Sequence, residues 1–114
     1  MPKRDDGLLI GDMVDCCKHI FEYTMAMTFD DFMNDRRTVD AVIRNFEVLG
    51  EACKRVSEEV RSSNIKIEWR KISDFRNVLI HDYFGINYEV LWRIIKEFLP
   101  QQYQFLKELS ESLS

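Results

Sequence analysis

The chain has 114 residues, 46% of them hydrophobic and 32% charged, and carries a net charge of −4. That is the size of one domain, spanning 1–114, with a small core that often gains from dimerisation, and the composition is that of a soluble globular protein. The acidic balance argues against strong non-specific nucleic-acid binding, no apolar run approaches the ~20 residues that cross a bilayer, and Met1-Pro2-Lys3-Arg4 leads into acids rather than a signal-peptide core, so no membrane association and a cytoplasmic location are expected.

Leu8 to about Met27 reads as the first helix. Ile10, Met13, Val14, Cys17, Ile20 and Phe21 recur at three- and four-residue steps, with Asp12, Asp15, Lys18, His19 and Glu22 between them. His19 falls in the polar set and reads as a solvated surface side chain. Thr28 to Asp35 is a break with room for one short turn, capped by Thr28 or Asp30. Asp35 to Thr38 offers the cap of a second long helix, running to about Ser57 or Val60, with Val39, Val42, Ile43, Phe46, Leu49, Cys53 and Val56 on its apolar face. Gly50 lowers helix stability by about 1 kcal/mol relative to Ala, and its place beside Ala52 and Cys53 suggests that another helix passes close by. Arg44, Glu47, Glu51 and Arg55 form a polar stripe. Cys16, Cys17 and Cys53 lack metal-site spacing and an even count, so reduced, buried thiols and no metal are expected.

Ser62 to Lys66 is a polar connection. Glu68 to about Phe84 reads as the third helix, with Trp69, Ile72, Phe75, Leu79 and Ile80 inward and Gly85 ending it. Asn87 caps a fourth helix, Tyr88 to Leu99, whose inward residues are Leu91, Ile94, Ile95 and Phe98. Pro100 breaks or kinks that pattern at Leu99. A last helix runs from Gln101 to about Leu113, with Phe105, Leu106, Leu109 and Leu113. The expected fold is all-α, an up-and-down bundle of four to five helices.

The third helix holds the unusual chemistry. Arg76-Asn77-Val78-Leu79-Ile80-His81-Asp82-Tyr83 sets a guanidinium, a carboxamide, an imidazole, a carboxylate and a phenol within about two turns, around an apolar centre. Lys54, Arg55, Arg61, Lys66, Arg70 and Lys71 cluster near it in the sequence. Each motif residue also has an ordinary reading. His81 could be a helix-end histidine, Arg76 the partner of Asp74 or Asp82, Tyr83 a core-edge aromatic and Asn77 a solvated residue. In an ideal helix Asn77 and His81 share a face, whereas Arg76 and His81 stand about 140° apart. One helix cannot easily aim both at one atom; two copies facing across a two-fold axis could.

The order Arg76-Asn77…His81-x-Tyr83, with Gly50-Glu51-Ala52 upstream and Trp69 before it, resembles the HEPN superfamily and its HepT branch over roughly Leu8 to Leu109. The resemblance implies a HEPN-like helical fold, a homodimer with the site at its interface, and an RNA substrate such as tRNA or mRNA. It implies a ribonuclease toxin neutralised by an MntA-like nucleotidyltransferase antitoxin that transfers AMP to Tyr83. Arg76, Asn77 and His81 are then the catalytic set, Tyr83 binds RNA or accepts AMP, and Glu51 and Asp82 support. No cofactor is expected. RNA cleavage without metal needs a base for the 2′-OH, an acid for the leaving 5′-oxygen and a cation for the phosphorane-like charge. Two imidazoles and Arg76 would supply them. The alternative is a non-catalytic helical subunit that binds nucleotide or substrate for a minimal nucleotidyltransferase.

Overall fold

A computed structural model describes residues 5–75, 77 and 85–114. Two helices cross most of the bundle, α1 (Asp6–Thr24) and α3 (Arg36–Arg55), joined through the short α2 (Phe29–Met33). Next come α4 (Glu58–Ser63) and α5 (Trp69–Ser73). Beyond Gly85, α6 (Tyr88–Arg93) continues through a π-helical segment (Ile94–Phe98) into α7 (Leu99–Leu113). The expected all-α bundle is the observed one. α1 packs chiefly against α3 and α7, and α5 lies on α3. Ile10, Met13, Cys17, Ile20, Val42, Phe46, Leu49, Leu91, Ile95, Leu99 and Leu106 fill the core between them. Among the described residues no helix is long and apolar enough to cross a membrane.

The caps explain where these helices begin and end. Asp5 accepts from the Leu8 amide at 2.8 Å, which starts α1 at Asp6 rather than Leu8. α1 stops at Thr24, short of the expected Met27, and the Thr24 hydroxyl turns back to the Ile20 carbonyl. Thr28, not Asp30, caps α2: its hydroxyl accepts from the Asp31 amide while the Asp31 carboxylate accepts from the Thr28 amide. Asp35 caps α3 by accepting from the Thr38 amide and hydroxyl, and these bonds hold its carboxyl below the ordinary range.

Three expected boundaries are corrected. The second long helix ends at Arg55 and does not run to Ser57 or Val60. Ser57 gives its amide and its hydroxyl to Asp6, at 2.9 and 2.7 Å, so the chain turns extended at Val56. Ser57 then caps α4, which takes up Ser62 and Ser63, two residues expected in a connection. The third helix is interrupted early. α5 ends at Ser73 with Asp74 as its C-cap, and the amide of Asp74 is shared between the carbonyls of Arg70 and Lys71. Phe75 and Asn77 are again helical. The remainder of that expected helix, with Leu79, Ile80 and Phe84, lies outside the described residues.

The third correction concerns Pro100, which does not separate two helices. The ladder widens instead: the Leu99 amide reaches the Ile94 carbonyl, five residues back. Pro100 then sits in the first turn of α7, just past the widened segment.

Gly50 does what the sequence suggested. A Cβ there would stand 3.3 Å from the carbonyl oxygen of Ile72 and 3.6 Å from that of Ser73. The close neighbour is backbone, which a side chain cannot push aside cheaply. Replacing Gly50 with Val is expected to destabilise the protein by about 1–3 kcal/mol, as overpacked cores do. That corresponds to a melting temperature lower by at least ~4 °C in a circular-dichroism melt. An unchanged melt would mean that α5 does not rest on α3 as described.

Candidate functional site

The approach to the motif is held from three sides. Phe75, the residue before Arg76, is buried with its ring edge-on to Phe46 of α3 at 5.1 Å and to Phe98 of the π segment at 5.8 Å. Gln102 of α7, 4% exposed, accepts the Glu68 amide at 2.8 Å and so fixes the start of α5. The Trp69 indole donates to the Asn64 carbonyl at 3.1 Å, and the Cys53 thiol to the Trp69 carbonyl at 3.3 Å. Beyond the motif, Gly85 takes φ +104°, a conformation that suits glycine, and Asn87 caps α6 by accepting from the Val90 amide. The stretch from 76 to 84 is thus bounded by a clamped Phe75 and a capped α6.

Within the stretch, Asn77 is the described site residue. It is exposed, its amide N–H donates to the Asp74 carbonyl at 2.9 Å, and its side-chain amide donates to the Asp74 carboxylate. Arg76, His81, Asp82 and Tyr83 lie outside the described residues.

Glu51 lies in a cleft between α1 and α3 of about 280 Å³, shared with Asp12, Arg44, Glu47 and Arg55. Its carboxylate is 3.7 Å from Lys54, an exposed pair of the kind that adds little stability. Its neighbours Gly50 and Cys53 face α5. The polar stripe of α3 therefore borders a cleft, a feature that periodicity in one helix gave no means of seeing. His19 is exposed, as expected, and lies 3.4 Å from Asn45 and stacked on Tyr23.

A second hollow of about 360 Å³ adjoins the motif's start, bordered by α5, α6 and the π segment. Sequence reading missed it, although Pro100 was the available signal that the helix must change pitch there.

The thiols are chemically quiet. Burial and the nearby Asp12 and Asp15 push Cys16 up to about 11. Burial raises Cys17 further, and lifts Cys53 to about 12 against the opposing pull of Arg61. None is a thiolate at neutral pH, so none is an activated nucleophile.

The HepT-like family, described as ribonuclease HepT-like, matches residues 13–109. A Methanocaldococcus jannaschii protein named as an inferred RNase is 37% identical over 99% of this chain and 93% of its own length. A Thermococcus cleftensis protein named a probable ribonuclease HepT is 37% identical over 86% of this chain and 89% of its own. A third, also named as an inferred RNase, from Caldanaerobacter subterraneus, is 34% identical over 82% and 83%. No solved structure matches.

The thiol environments set two expectations. In the native protein at pH 8 no cysteine should react rapidly with a thiol-specific disulfide reagent, and all three should react after denaturation. One fast native thiol would contradict the burial described. Because the folded values are raised above the ordinary 9.0, the unfolded chain loses these protons first. Their contribution to stability is full below about pH 9 and is lost as pH rises through the folded values, so the melting temperature should fall above pH 9.

Proposed function

The chain belongs to the HepT-like ribonuclease family, and on that premise we propose that it is a metal-independent endoribonuclease toxin working as a homodimer. The observation that carries this reading is the order Arg76-Asn77…His81-x-Tyr83, which follows directly on the anchored Phe75. In the proposed reaction one His81 takes the proton of a 2′-OH. The freed oxygen attacks the adjacent phosphorus, and the other His81 protonates the departing 5′-oxygen. The products are a 2′,3′-cyclic phosphate and a 5′-hydroxyl. Arg76 neutralises the charge gathering on the phosphoryl oxygens, for which a planar bidentate donor is suited. Asn77, already held by Asp74, presents its remaining amide capacity to the phosphate or the imidazole. Glu51 and Asp82 are proposed as supporting carboxylates.

The proposed partner is an MntA-like nucleotidyltransferase antitoxin. It would form a bond between the Tyr83 phenolic oxygen and the α-phosphorus of ATP and release pyrophosphate. AMP on Tyr83 would bring a bulky nucleoside and a negative charge into the cleft, excluding RNA by size and by like charge.

His81→Ala is expected to abolish cleavage of total RNA in EDTA while leaving circular dichroism and sedimentation unchanged. Wild-type products should end in 2′,3′-cyclic phosphate. Cleavage retained by the variant would refute the assignment of His81. Coexpression with the nucleotidyltransferase should add the mass of AMP to the wild type but not to Tyr83→Phe.

A further inference from the structure

The hollow beside Phe75 has no part in the proposed chemistry. It is lined by Phe75, Val90, Ile94 and Phe98, together with Lys71 of α5, Arg93 of α6 and Glu97 of the π segment. Its volume of about 360 Å³ falls in the range of sites that hold small organic groups, ~300–1,000 Å³. Phe98 is only partly buried, and the Lys71 ammonium stands 5.8 Å from the centre of its ring.

Among the described residues Lys71 makes one ion pair, with Glu68 at 3.6 Å, and both side chains are about half exposed or more, so that pair is weak. Among the described residues, no carboxylate lies within ion-pair distance of Arg93. In a chain of net charge −4, two cations against an apolar aromatic lining give this hollow a local positive balance, with Glu97 its one acid among the described residues. Phe75, in that lining, directly precedes Arg76, so the hollow is continuous in the chain with the motif.

We propose that this groove is a subsite for single-stranded RNA: Lys71 and Arg93 grip backbone phosphates and one base lies against Phe98. Bases stack on aromatic rings with little regard to sequence, and cations along such a groove track the backbone. Glu97, the remaining charged residue of the lining, accepts a hydrogen bond from a ribose hydroxyl or a base amino group. A protein seated here would have to bring an acid to Arg93, whereas RNA brings one at every nucleotide. The inference rests on the ribonuclease reading and adds a place where substrate is held.

The test uses the full chain carrying His81→Ala, to prevent cleavage, and a labelled short single-stranded RNA followed by fluorescence anisotropy in EDTA. Arg93→Ala and Lys71→Ala should each weaken binding about tenfold at low salt and lower the salt-dependence slope by about 1. Arg93→Lys should keep the slope. Lys107→Ala, which removes a cation outside the groove, should change little. With His81 restored, Arg93→Ala should raise KM for RNA and spare kcat.

Unchanged affinity in Arg93→Ala and Lys71→Ala overturns the proposal, as does an equal loss in Lys107→Ala. A changed oligomeric state at unchanged RNA affinity overturns it too, because the groove would then seat a second copy. If the groove variants lose binding but the wild type never cleaves RNA, the ribonuclease reading fails and the groove stands. If the wild type cleaves and Arg93→Ala keeps its KM, the groove fails and the ribonuclease stands.

Discussion

The contact on which the site depends is the seating of α5 on α3. An α-helix five residues long has almost no stability of its own, because nucleation fixes several residues before the first hydrogen bond forms. α5 persists through what it touches. Gly50 admits the carbonyls of Ile72 and Ser73, and the Cys53 thiol bonds the Trp69 carbonyl. Phe75 closes the arrangement between Phe46 and Phe98. Loss of a buried Phe ring costs ~3–5 kcal/mol in a core, so this one residue carries a large share of the cohesion of the region. The same residue directly precedes Arg76 in the chain.

Much of the fold was legible because apolar periodicity is a local signal. Ile10, Met13, Cys17 and Ile20 on α1, and Val42, Phe46, Leu49 and Cys53 on α3, were read inward and are buried. Gly50 was legible for the same reason: a glycine within a good helical pattern needs an external cause. The misread boundaries share the opposite property. Ser57 leaves the helix for Asp6, 51 positions away in the chain, and no window along the sequence contains both residues. The register change at Ile94–Phe98 was signalled by Pro100, but a proline states only that the ladder must yield, not whether it breaks or widens. The motif residues were singled out by their order in the chain. The cleft around Glu51 and the groove at Phe98 were not, because each is built from two or more elements.

The electrostatics follow a similar division. The acidic total speaks against indiscriminate attraction to nucleic acid, and much of the charge is spent locally on structure. Asp5, Asp31 and Asp35 cap helices, and Asp6 holds Ser57. A capping carboxylate is close to backbone N–H dipoles that partly offset it, so such acids repel a distant phosphate less than the net charge suggests. Among the described residues, Arg93 has no carboxylate within ion-pair distance. Net charge is thus a poor guide to the field at one groove, and a protein of this balance gains selectivity by concentrating its uncommitted cations.

The interruption at Asp74 bears on how the motif could act. It precedes Arg76, so it leaves the angle between Arg76 and His81 in an ideal helix at about 140°. What the interruption changes is the hydrogen bonding just ahead of the motif. Asp74 and Asn77 bond to each other and to the backbone, offering it partners that a continuous helix would not. Trp69–Ser73 rests on α3 at Gly50, and Phe75, beyond the turn at Asp74, is held between Phe46 and Phe98. The turn thus lets a helix too short to stand alone, and the ring that follows it, reach two different elements of the core.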